Sequence, residues 1–295
     1  MVRVHRRQGE EMRLFLLSEG ILDQGLKIRA EGDDLLLPVI RPGAERARFE
    51  VRDPVPELPR HELIGGIAIM LEDDPEAAKI LLRLRPGVHT VLCPESDVEG
   101  EFRTRRFALL AGRPTTATIH REFGNQYEID LSLAYFSARL ATERQQVLSL
   151  MEQGERVLDM FAGVGPFSIT LARQASLVVA VDINPGAVRL LQKNIAINRA
   201  RAVLPFLADA TILPDLMEQR FDRVIMNHPS DALSFLPSAF DLCRPGGTIH
   251  CYTIESEEGQ ALTEIRRFPV RAVRERYVRS YAPGRWHAVY DIIPE

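Results

Sequence analysis

The sequence predicts an α/β fold whose second half forms an open, mostly parallel sheet covered by helices. Residues 156–166, RVLDMFAGVGP, read as a buried strand that runs into a glycine turn and a helix opened by Pro166. A second apolar run, Leu177–Asp182, follows and ends in a carboxylate. Apolar strands and amphipathic helices then alternate along the chain, which is the pattern of βαβ units.

The later elements of this half follow at short spacing. Pro185 stands at the start of a helix over Asn184–Arg199, whose apolar residues recur at the spacing of one helix face. We expect further strands at Ala202–Leu207 and Phe221–Met226, and a helix at Ala232–Cys243. The catalytic half is therefore placed at residues 148–295.

The first half of the chain divides into smaller parts. Residues 1–50 are expected to form a small α+β domain, with a helix around Glu10–Ser18 and strands around Leu26–Ala30 and Asp34–Ile40. The proline-rich stretch at 51–59 reads as a semi-rigid linker. A mixed α+β middle domain is expected at 60–147, with these elements: a strand at Leu63–Met70, a helix at Pro75–Leu84, and strands around Thr90–Leu92, Ala108–Gly112 and Thr118–Glu122.

Composition favours an intracellular enzyme. The 295 residues are 45% hydrophobic and 26% charged, enough for about two domains of ordinary size and a small extra one. No run approaches the roughly 18 apolar residues of a membrane helix, and the polar start lacks the apolar core of a secretory signal, so we expect a cytoplasmic location. Cys93, Cys243 and Cys251 are widely spaced, which argues against a disulfide framework or a zinc site.

The turn FAGVGP, which begins with Phe161, has the composition of a cofactor-binding turn. Gly163 and Gly165 let the backbone approach a ligand. Asp182, about 20 residues further on, is placed to accept hydrogen bonds from a ribose diol. Because the turn lacks the full G-x-G-x-x-G spacing, S-adenosylmethionine, which carries no phosphate, fits better than a nicotinamide dinucleotide. For the turn alone, a tight connection without a ligand is the alternative.

Two further strand ends carry polar residues. Asp209 follows the third strand and is a candidate for the adenine amino group, with a turn cap as the alternative. Asn227–Ser230, NHPS, follows the fourth strand. In adenine and cytosine amino methyltransferases a polar residue and prolines at this point hold the target nitrogen, and Pro229 would fix the backbone rigidly. A turn capped by Ser230 or Asp231 is the other interpretation, and both can hold at once.

Charge is unevenly distributed along the chain. The net charge of −4 is not that of a typical nucleic-acid-binding protein. Residues 266–285 nevertheless contain seven arginines against one acid, Glu275, and smaller basic groups lie near residues 3–7 and 103–106. Arginine suits phosphate contacts because its planar fork donates in pairs, so these groups are candidate RNA-binding faces, although many charge runs are merely solvated.

Several separated motifs, in order, resemble one enzyme family. They are EEMRLFLLSEGILDQGLKIRAEGDDLLLPV near the start, HREFGNQYEIDLSLAYFSARLATER at 120–144, DINPGAVRLLQKNIAINR at 182–199, MNHPSDALSFLPSAFDLCRPGG at 226–247, and YAPGRWHAVYDI near the end. Together they resemble the archaeal and eukaryotic-type tRNA guanine-37 N1-methyltransferases. The resemblance implies a Rossmann-type class I methyltransferase domain, S-adenosylmethionine as cofactor, and a monomeric enzyme that binds the anticodon loop and the body of a tRNA.

The resemblance also implies roles for individual residues. Glu143 corresponds to the general base that takes the N1 proton, and Arg103 to the arginine that stabilises O6. Asn227 would orient the base and contact the cofactor, and Pro229 would shape the pocket wall. The remaining implied contacts, to the target nucleotide and the approaching cofactor, are Tyr135 and Arg139.

Each of these residues has a plainer interpretation. Glu143 could be an acid in the first turn of a helix, favoured by the helix dipole. Tyr135 and Phe136 could be core aromatics, and Arg103 a solvated charge. His228 departs from the apolar residue common in the family at this position, and the sequence assigns it no role.

Three other functions stay open at this point. An aminocarboxypropyl transferase of wybutosine synthesis would look alike through the glycine turn, but such enzymes lack the Asn-x-Pro strand end. A bifunctional methyltransferase acting also on a wyosine precursor is the second alternative. The third is an RNA-binding protein that holds the cofactor without turnover, against which Arg103, Glu143 and Asn227 together argue.

Overall fold

A computed structural model describes residues 1–41, 47–50, 58–97, 100 and 102–295. The chain separates into two compact units, Met1–Leu58 and Pro59–Glu295. Most of the predicted linker, residues 51–57, lies outside the described residues. The predicted boundary between residues 147 and 148 falls inside the second unit, within a helix.

The first unit is a three-stranded antiparallel sheet and one helix. Its elements are β1 (Val2–His5), α1 (Gly9–Ser18), β2 (Arg29–Glu31) and β3 (Asp34–Leu37), with the strands in the order β1-β3-β2. Its small core is built by Val4, Leu16, Leu22 and Leu37. The helix matches its predicted end and begins one residue earlier than predicted, the third strand matches its predicted start, and the second strand lies slightly later than predicted.

The second unit begins with a four-stranded sheet and a hairpin. The elements are β4 (His61–Ile64), β5 (Ile67–Met70), α2 (Pro75–Leu84), β6 (Thr90–Pro94), β7 (Phe107–Gly112), β8 (Ala117–Glu122) and β9 (Asn125–Asp130). The strand predicted at Leu63–Met70 is wrong in one respect, since the chain reverses at Gly65-Gly66 and its two halves pair as antiparallel β4 and β5. A Gly-Gly pair is a hairpin turn signal that outweighs the apolar run.

A seven-stranded sheet forms the rest of the second unit. Its strands are β10 (Arg156–Asp159), β11 (Leu177–Asp182), β12 (Val203–Leu207), β13 (Phe221–Met226), β14 (Cys243–Glu255), β15 (Val270–Ala282) and β16 (Arg285–Pro294). The helices are α3 (Ala141–Ser149), α4 (Pro166–Leu171), α5 (Pro185–Asn198), α6 (Leu213–Leu216), α7 (Leu236–Leu242) and α8 (Leu262–Ile265).

The strand order of this sheet is β12-β11-β10-β13-β14-β16-β15. The first five strands are parallel, and β16 enters antiparallel between β14 and β15. Apolar side chains pack on both faces of the sheet, for example Val157 and Ala180 on one and Leu158 and Val179 on the other. The order reverses between β10 and β13, and a ligand crevice is expected outside the carboxyl ends of such strands.

Two local features of this sheet differ from simple expectation. The helix predicted at Ala232–Cys243 is a 3-10 turn at Ala232–Phe235 followed by α7, whose early Pro237 suits the first turn of a new helix. The edge strand β12 leaves Leu204, Phe206 and Leu207 exposed.

In the described part of the chain, no helix has both the length and the apolar character needed to cross a membrane.

Candidate active site

The glycine turn after β10 is tied to the end of β11 by a carboxylate. Asp182 accepts a hydrogen bond from the Gly163 amide at 2.7 Å and another from the Asn184 amide at 2.9 Å. Burial raises the pKa of Asp182, although the two backbone hydrogen bonds act in the opposite direction and favour the charged carboxylate. Each carboxylate oxygen takes one of these two amides, so lone pairs remain for a ligand hydroxyl.

The two glycines of the turn serve different purposes. Gly163 has φ +55°, and a β-carbon there would meet nothing nearer than the Tyr135 carbonyl oxygen at 3.9 Å. Gly165 has φ +92°, and a β-carbon there would lie 2.4 Å from Leu191 Cδ1 on α5. The missing side chain at Gly163 therefore keeps space free at the sheet edge, whereas Gly165 lets two helices pack closely.

A second carboxylate lies beneath this turn. Asp159 at the end of β10 accepts a hydrogen bond from Ser168 Oγ at 2.6 Å, and burial raises its pKa to about 7. Asp209, at the end of β12, accepts from the Thr211 amide at 2.8 Å and caps a 3-10 turn. Asp209 therefore acts as a turn cap, and its half-buried side chain also remains at the sheet edge.

The motif after β13 lies beside the glycine turn. The imidazole of His228 meets Phe161 edge-on, with ring centroids 4.9 Å apart, and Phe161 meets Phe235 in the same way. Burial, and then the nearby charge of Arg103, lower the pKa of His228. A neutral imidazole therefore forms part of an aromatic wall at this edge.

Asn227 carries an unusual feature in the same motif. Its Oδ1 is buried and has no hydrogen-bond partner among the described residues. Buried polar atoms are normally paired, so an orphaned acceptor at a sheet edge is suited to a ligand donor.

Arg103 comes to this motif from another part of the chain. Its guanidinium donates to Ser230 Oγ and lies 5.5 Å from the ring centroid of Tyr135. Tyr135 is 49% exposed, whereas Phe136 is buried, so the core interpretation holds for Phe136 and fails for Tyr135. Arg139 makes a different contact, an ion pair with Glu62 on β4 at 2.8 Å.

Glu143 is buried at the start of α3 and is held by three hydrogen bonds. The Tyr252 hydroxyl donates to Oε1 at 2.9 Å. Arg276 donates from Nη2 to Oε1 at 3.0 Å and from Nη1 to Oε2 at 3.2 Å. Because Tyr252 follows Cys251, the partner of Met226 in the sheet, it stands level with Asn227 one strand away. Glu143 thus faces the same sheet edge as the motif.

A chain of buried polar groups continues behind Glu143. Arg276 donates to Asp291 at 2.6 Å, and Asp291 accepts from His250 Nδ1 at 2.6 Å. His250 Nε2 accepts from Arg223 at 2.6 Å, and Arg223 binds Glu155 at 2.7 Å. We call these residues the buried polar chain: Glu143, Arg276, Asp291, His250, Arg223 and Glu155.

The buried polar chain corrects one expectation and adds residues that the sequence analysis missed. Arg276 belongs to the arginine run at 266–285, yet its side chain is 15% exposed and faces two carboxylates inside the protein. It is therefore removed from the predicted RNA-binding face. Tyr252, Asp291 and His250 lie on β14 and β16, far from Glu143 in sequence, and no local motif marks them.

The carboxyl edge of the sheet fits S-adenosylmethionine. At Gly163 an added β-carbon would meet only the Tyr135 carbonyl oxygen, Asp182 keeps lone pairs, and the buried Asn227 Oδ1 lacks a donor among the described residues. Asp182 would hold the ribose, and contacts of Phe161 and Asp209 with the adenine stay predictions. A sheet of this strand order, with a glycine turn after its first strand and an acid after its second, defines the class I methyltransferase fold.

Comparison with known proteins defines the family. The family model described as TRM5/TYW2 methyltransferase domain matches residues 118–279, and the tRNA methyltransferase 5 N-terminal domain matches residues 2–46. The chain belongs to the TRM5/TYW2 methyltransferase family, which confirms the predicted fold class and the resemblance.

Three similar proteins illustrate the match. The tRNA (guanine(37)-N(1))-methyltransferase Trm5b of Pyrococcus abyssi is 38% identical, over 98% of this chain and 97% of its own. The complex structure of aTrm5 and tRNALeu has a TM-score of 0.78 at 29% identity, covering 99% of both chains. Methanocaldococcus jannaschii TYW2 in complex with AdoMet has a TM-score of 0.61 at 26% identity, covering 79% of this chain and 98% of that one.

Proposed function

We propose that this protein is an S-adenosylmethionine-dependent tRNA (guanine-37 N1)-methyltransferase. Its family and its full-length similarity to an enzyme of that name support the activity. The observation that supports the site is the set of contacts around the strand end after β13: Asn227 Oδ1 is an orphaned buried acceptor, Arg103 donates to Ser230 of the same motif, and Glu143 binds Tyr252 on the neighbouring strand.

The chemistry of guanine requires both a base and a cation. N1 carries a proton at neutral pH, and as that proton leaves, negative charge develops on O6. Glu143 takes the proton on a carboxylate oxygen, and Arg103 donates to O6. The freed N1 lone pair then forms the bond to carbon. When bound, S-adenosylmethionine supplies the methyl group, and the electrons of the broken S–C bond stay on sulfur as S-adenosylhomocysteine leaves.

The neighbours of Arg103 support a role in holding the base. Its guanidinium lies against the exposed ring of Tyr135 and donates to Ser230, beside Pro229. A flat base between Pro229 and the Tyr135 side would present its oxygen to this cation. Arg139 pairs with Glu62 here, so a nucleotide contact by Arg139 stays a prediction that requires an exchange of partners.

Binding of tRNA is assigned to exposed arginines and to the N-terminal unit. Arg271 and Arg274 on β15 are exposed, and no ion pair is found for either within the described part of the chain. Guanosine 37 leaves the stack of the anticodon loop so that its base reaches the sheet edge. The domain limits, the cytoplasmic location and the monomeric state stay predictions.

The proposal is tested with unmodified tRNA transcripts and cofactor labelled either in the methyl group or in the aminocarboxypropyl carbons. We expect methyl label alone to enter the RNA, in 1-methylguanosine at position 37, and a transcript with adenosine at that position to take none.

The other outcomes identify the alternatives. Transfer of the aminocarboxypropyl label would contradict the proposal and identify a wybutosine-pathway transferase. Methyl label on a wyosine precursor, in addition to guanosine, would show a bifunctional enzyme. Binding of both ligands without transfer would leave an RNA-binding protein.

A further inference from the structure

The three donors to Glu143 are unevenly divided between its two oxygens. Oε1 accepts from both Tyr252 and Arg276, at 2.9 and 3.0 Å. Oε2 accepts from Arg276 alone, at the longer distance of 3.2 Å. A carboxylate oxygen has two acceptor sites, so Oε2 keeps one open. Oε2 is therefore the atom that can receive a proton, on its open lone pair.

A carboxylate that faces a guanidinium is normally a poor proton acceptor, because the cation favours its charged form. In this protein Arg276 is shared. Its Nε lies 2.6 Å from Asp291 Oδ2 and its Nη2 lies 3.2 Å from Asp291 Oδ1. The shortest contact of the guanidinium is thus with Asp291 rather than with Glu143.

The protonation states of the neighbours fix the charge of this group. Arg223 donates to His250 Nε2, so His250 donates from Nδ1 to Asp291, and burial keeps its pKa low. Although burial opposes it, hydrogen bonds from His250 and Arg276 lower the pKa of Asp291 to about 2. Asp291 therefore stays charged and His250 stays neutral.

The resulting charge count favours proton uptake. One cation, Arg276, faces two carboxylates, Asp291 and Glu143, so the group carries one net negative charge before the reaction. When Glu143 accepts a proton, the same group becomes neutral. A buried group is more stable without an uncompensated charge.

We propose that Asp291 is a positioning residue that, by sharing Arg276, keeps Glu143 able to accept the N1 proton on Oε2. This inference rests on the proposed function, in which Glu143 is the base. The charged and titratable groups next to Glu143 or in contact with its partners lie on four elements: Arg144, adjacent in the chain and paired with Glu122, on α3; Tyr252 and His250 on β14; Arg276 on β15; and Asp291 and His287 on β16. The His287 ring packs against the Tyr252 ring, and burial lowers its pKa to about 4, so it adds no charge.

The test compares pH profiles of single-turnover methyl transfer at saturating tRNA and cofactor. In Asp291→Asn the Arg276 guanidinium faces no carboxylate other than Glu143. We therefore expect the rising limb of the rate-against-pH profile to move about 1 pH unit lower and the plateau rate to fall. Arg276→Gln removes the cation, so its limb moves about 1 pH unit higher. KM for both ligands should stay near its wild-type value.

Glu155→Gln is the matched control, because it breaks a buried carboxylate–arginine pair at the other end of the buried polar chain. It should lower the unfolding temperature but leave the pH limb in place. The inference is overturned if the rising limbs of Asp291→Asn and Arg276→Gln move in the same direction, or if neither limb moves. If Asp291→Asn does not fold, Asp291→Ser, which also removes the carboxylate, takes its place in the comparison with Arg276→Gln. Full activity of Glu143→Gln would instead overturn the assignment of Glu143 as the base, while label transfer to position 37 tests the proposed function separately.

Discussion

The two halves of the active site hold their carboxylates in opposite ways. Asp182, on the cofactor side, takes its two donors from backbone amides 2 and 19 residues away. Glu143, on the base side, takes its donors from side chains 109 and 133 residues away. The first arrangement is a property of one βαβ unit, and the second exists only when the complete sheet has formed.

This difference separates binding from catalysis. A ribose contact needs an acceptor held still, and local backbone amides supply that. A proton acceptor needs its charge environment set as well, which requires several ionised side chains at chosen positions. The following substitutions test the contrast.

Glu143→Gln should give the largest effect. The variant keeps the shape of the side chain and hydrogen-bonding capacity but loses the proton acceptor, so single-turnover methylation should fall by about two to four orders of magnitude. Rate against pH is the second measurement, since the wild-type rate should rise through a carboxyl ionisation and the variant should lose that limb. An equal loss of folding stability would indicate a helix-start role, and near wild-type speed would redirect attention to Asp231, His228 or water as base.

Asp182→Ala should act on the other half alone. Loss of a charge-assisted hydrogen bond should weaken S-adenosylmethionine binding by about 1.5–3 kcal/mol. Calorimetry measures this, and the rate at saturating cofactor should change far less than in Glu143→Gln. Unchanged affinity would remove Asp182 from the ribose site. Asp209→Ala tests the adenine contact in the same assay.

The glycine pair sharpens the comparison within the cofactor half. Gly165→Ala forces a β-carbon against Leu191 at positive φ, so the free energy of unfolding should fall by about 1–3 kcal/mol in urea titrations. The β-carbon of Gly163→Ala meets only the Tyr135 carbonyl oxygen, at van der Waals distance, so its stability loss should be limited to the left-handed backbone cost, about 1 kcal/mol, while cofactor affinity falls. Equal stability losses would contradict this division of roles.

The smallest effect is expected outside both halves. Arg271→Ala with Arg274→Ala should weaken tRNA binding and lower the slope of log affinity against log salt by roughly 0.7–0.9 per lost phosphate contact. Arg244→Ala is the control, because Arg244 is exposed, pairs with Asp222 and lies outside residues 266–285. A salt slope equal to wild type would make this stretch a solvated face.

The sequence predicts the local half of the site better than the assembled half. The strand Phe221–Met226 and the strand Leu177–Asp182 have their predicted bounds, because buried parallel strands are contiguous apolar runs. The hairpin strand Asn125–Asp130 and the long strand Val270–Ala282 were not predicted. In the latter, arginines interrupt the apolar residues and read as solvated charge.

Arg276 shows the physical reason for that error. Its partners Asp291 and Glu143 lie 15 and 133 residues away, so nothing near it in sequence distinguishes it from the exposed Arg274. Burial of a charge is decided by what the fold brings opposite to it. Sequence patterns therefore locate the cofactor turn, and the tertiary structure assigns the partners of the base.

Pro205 gives the exposed edge strand β12 a protective function. Ala202 accepts from Val178 and Ala208 donates to Asp182, so the even-numbered backbone groups of this strand face β11 and the nitrogen of Pro205 faces outward. A proline nitrogen has no proton to donate, and a neighbouring strand cannot extend the sheet in register past it. The apolar side chains of Leu204 and Phe206 can thus stay in solvent without the edge recruiting strands from other molecules into an aggregate.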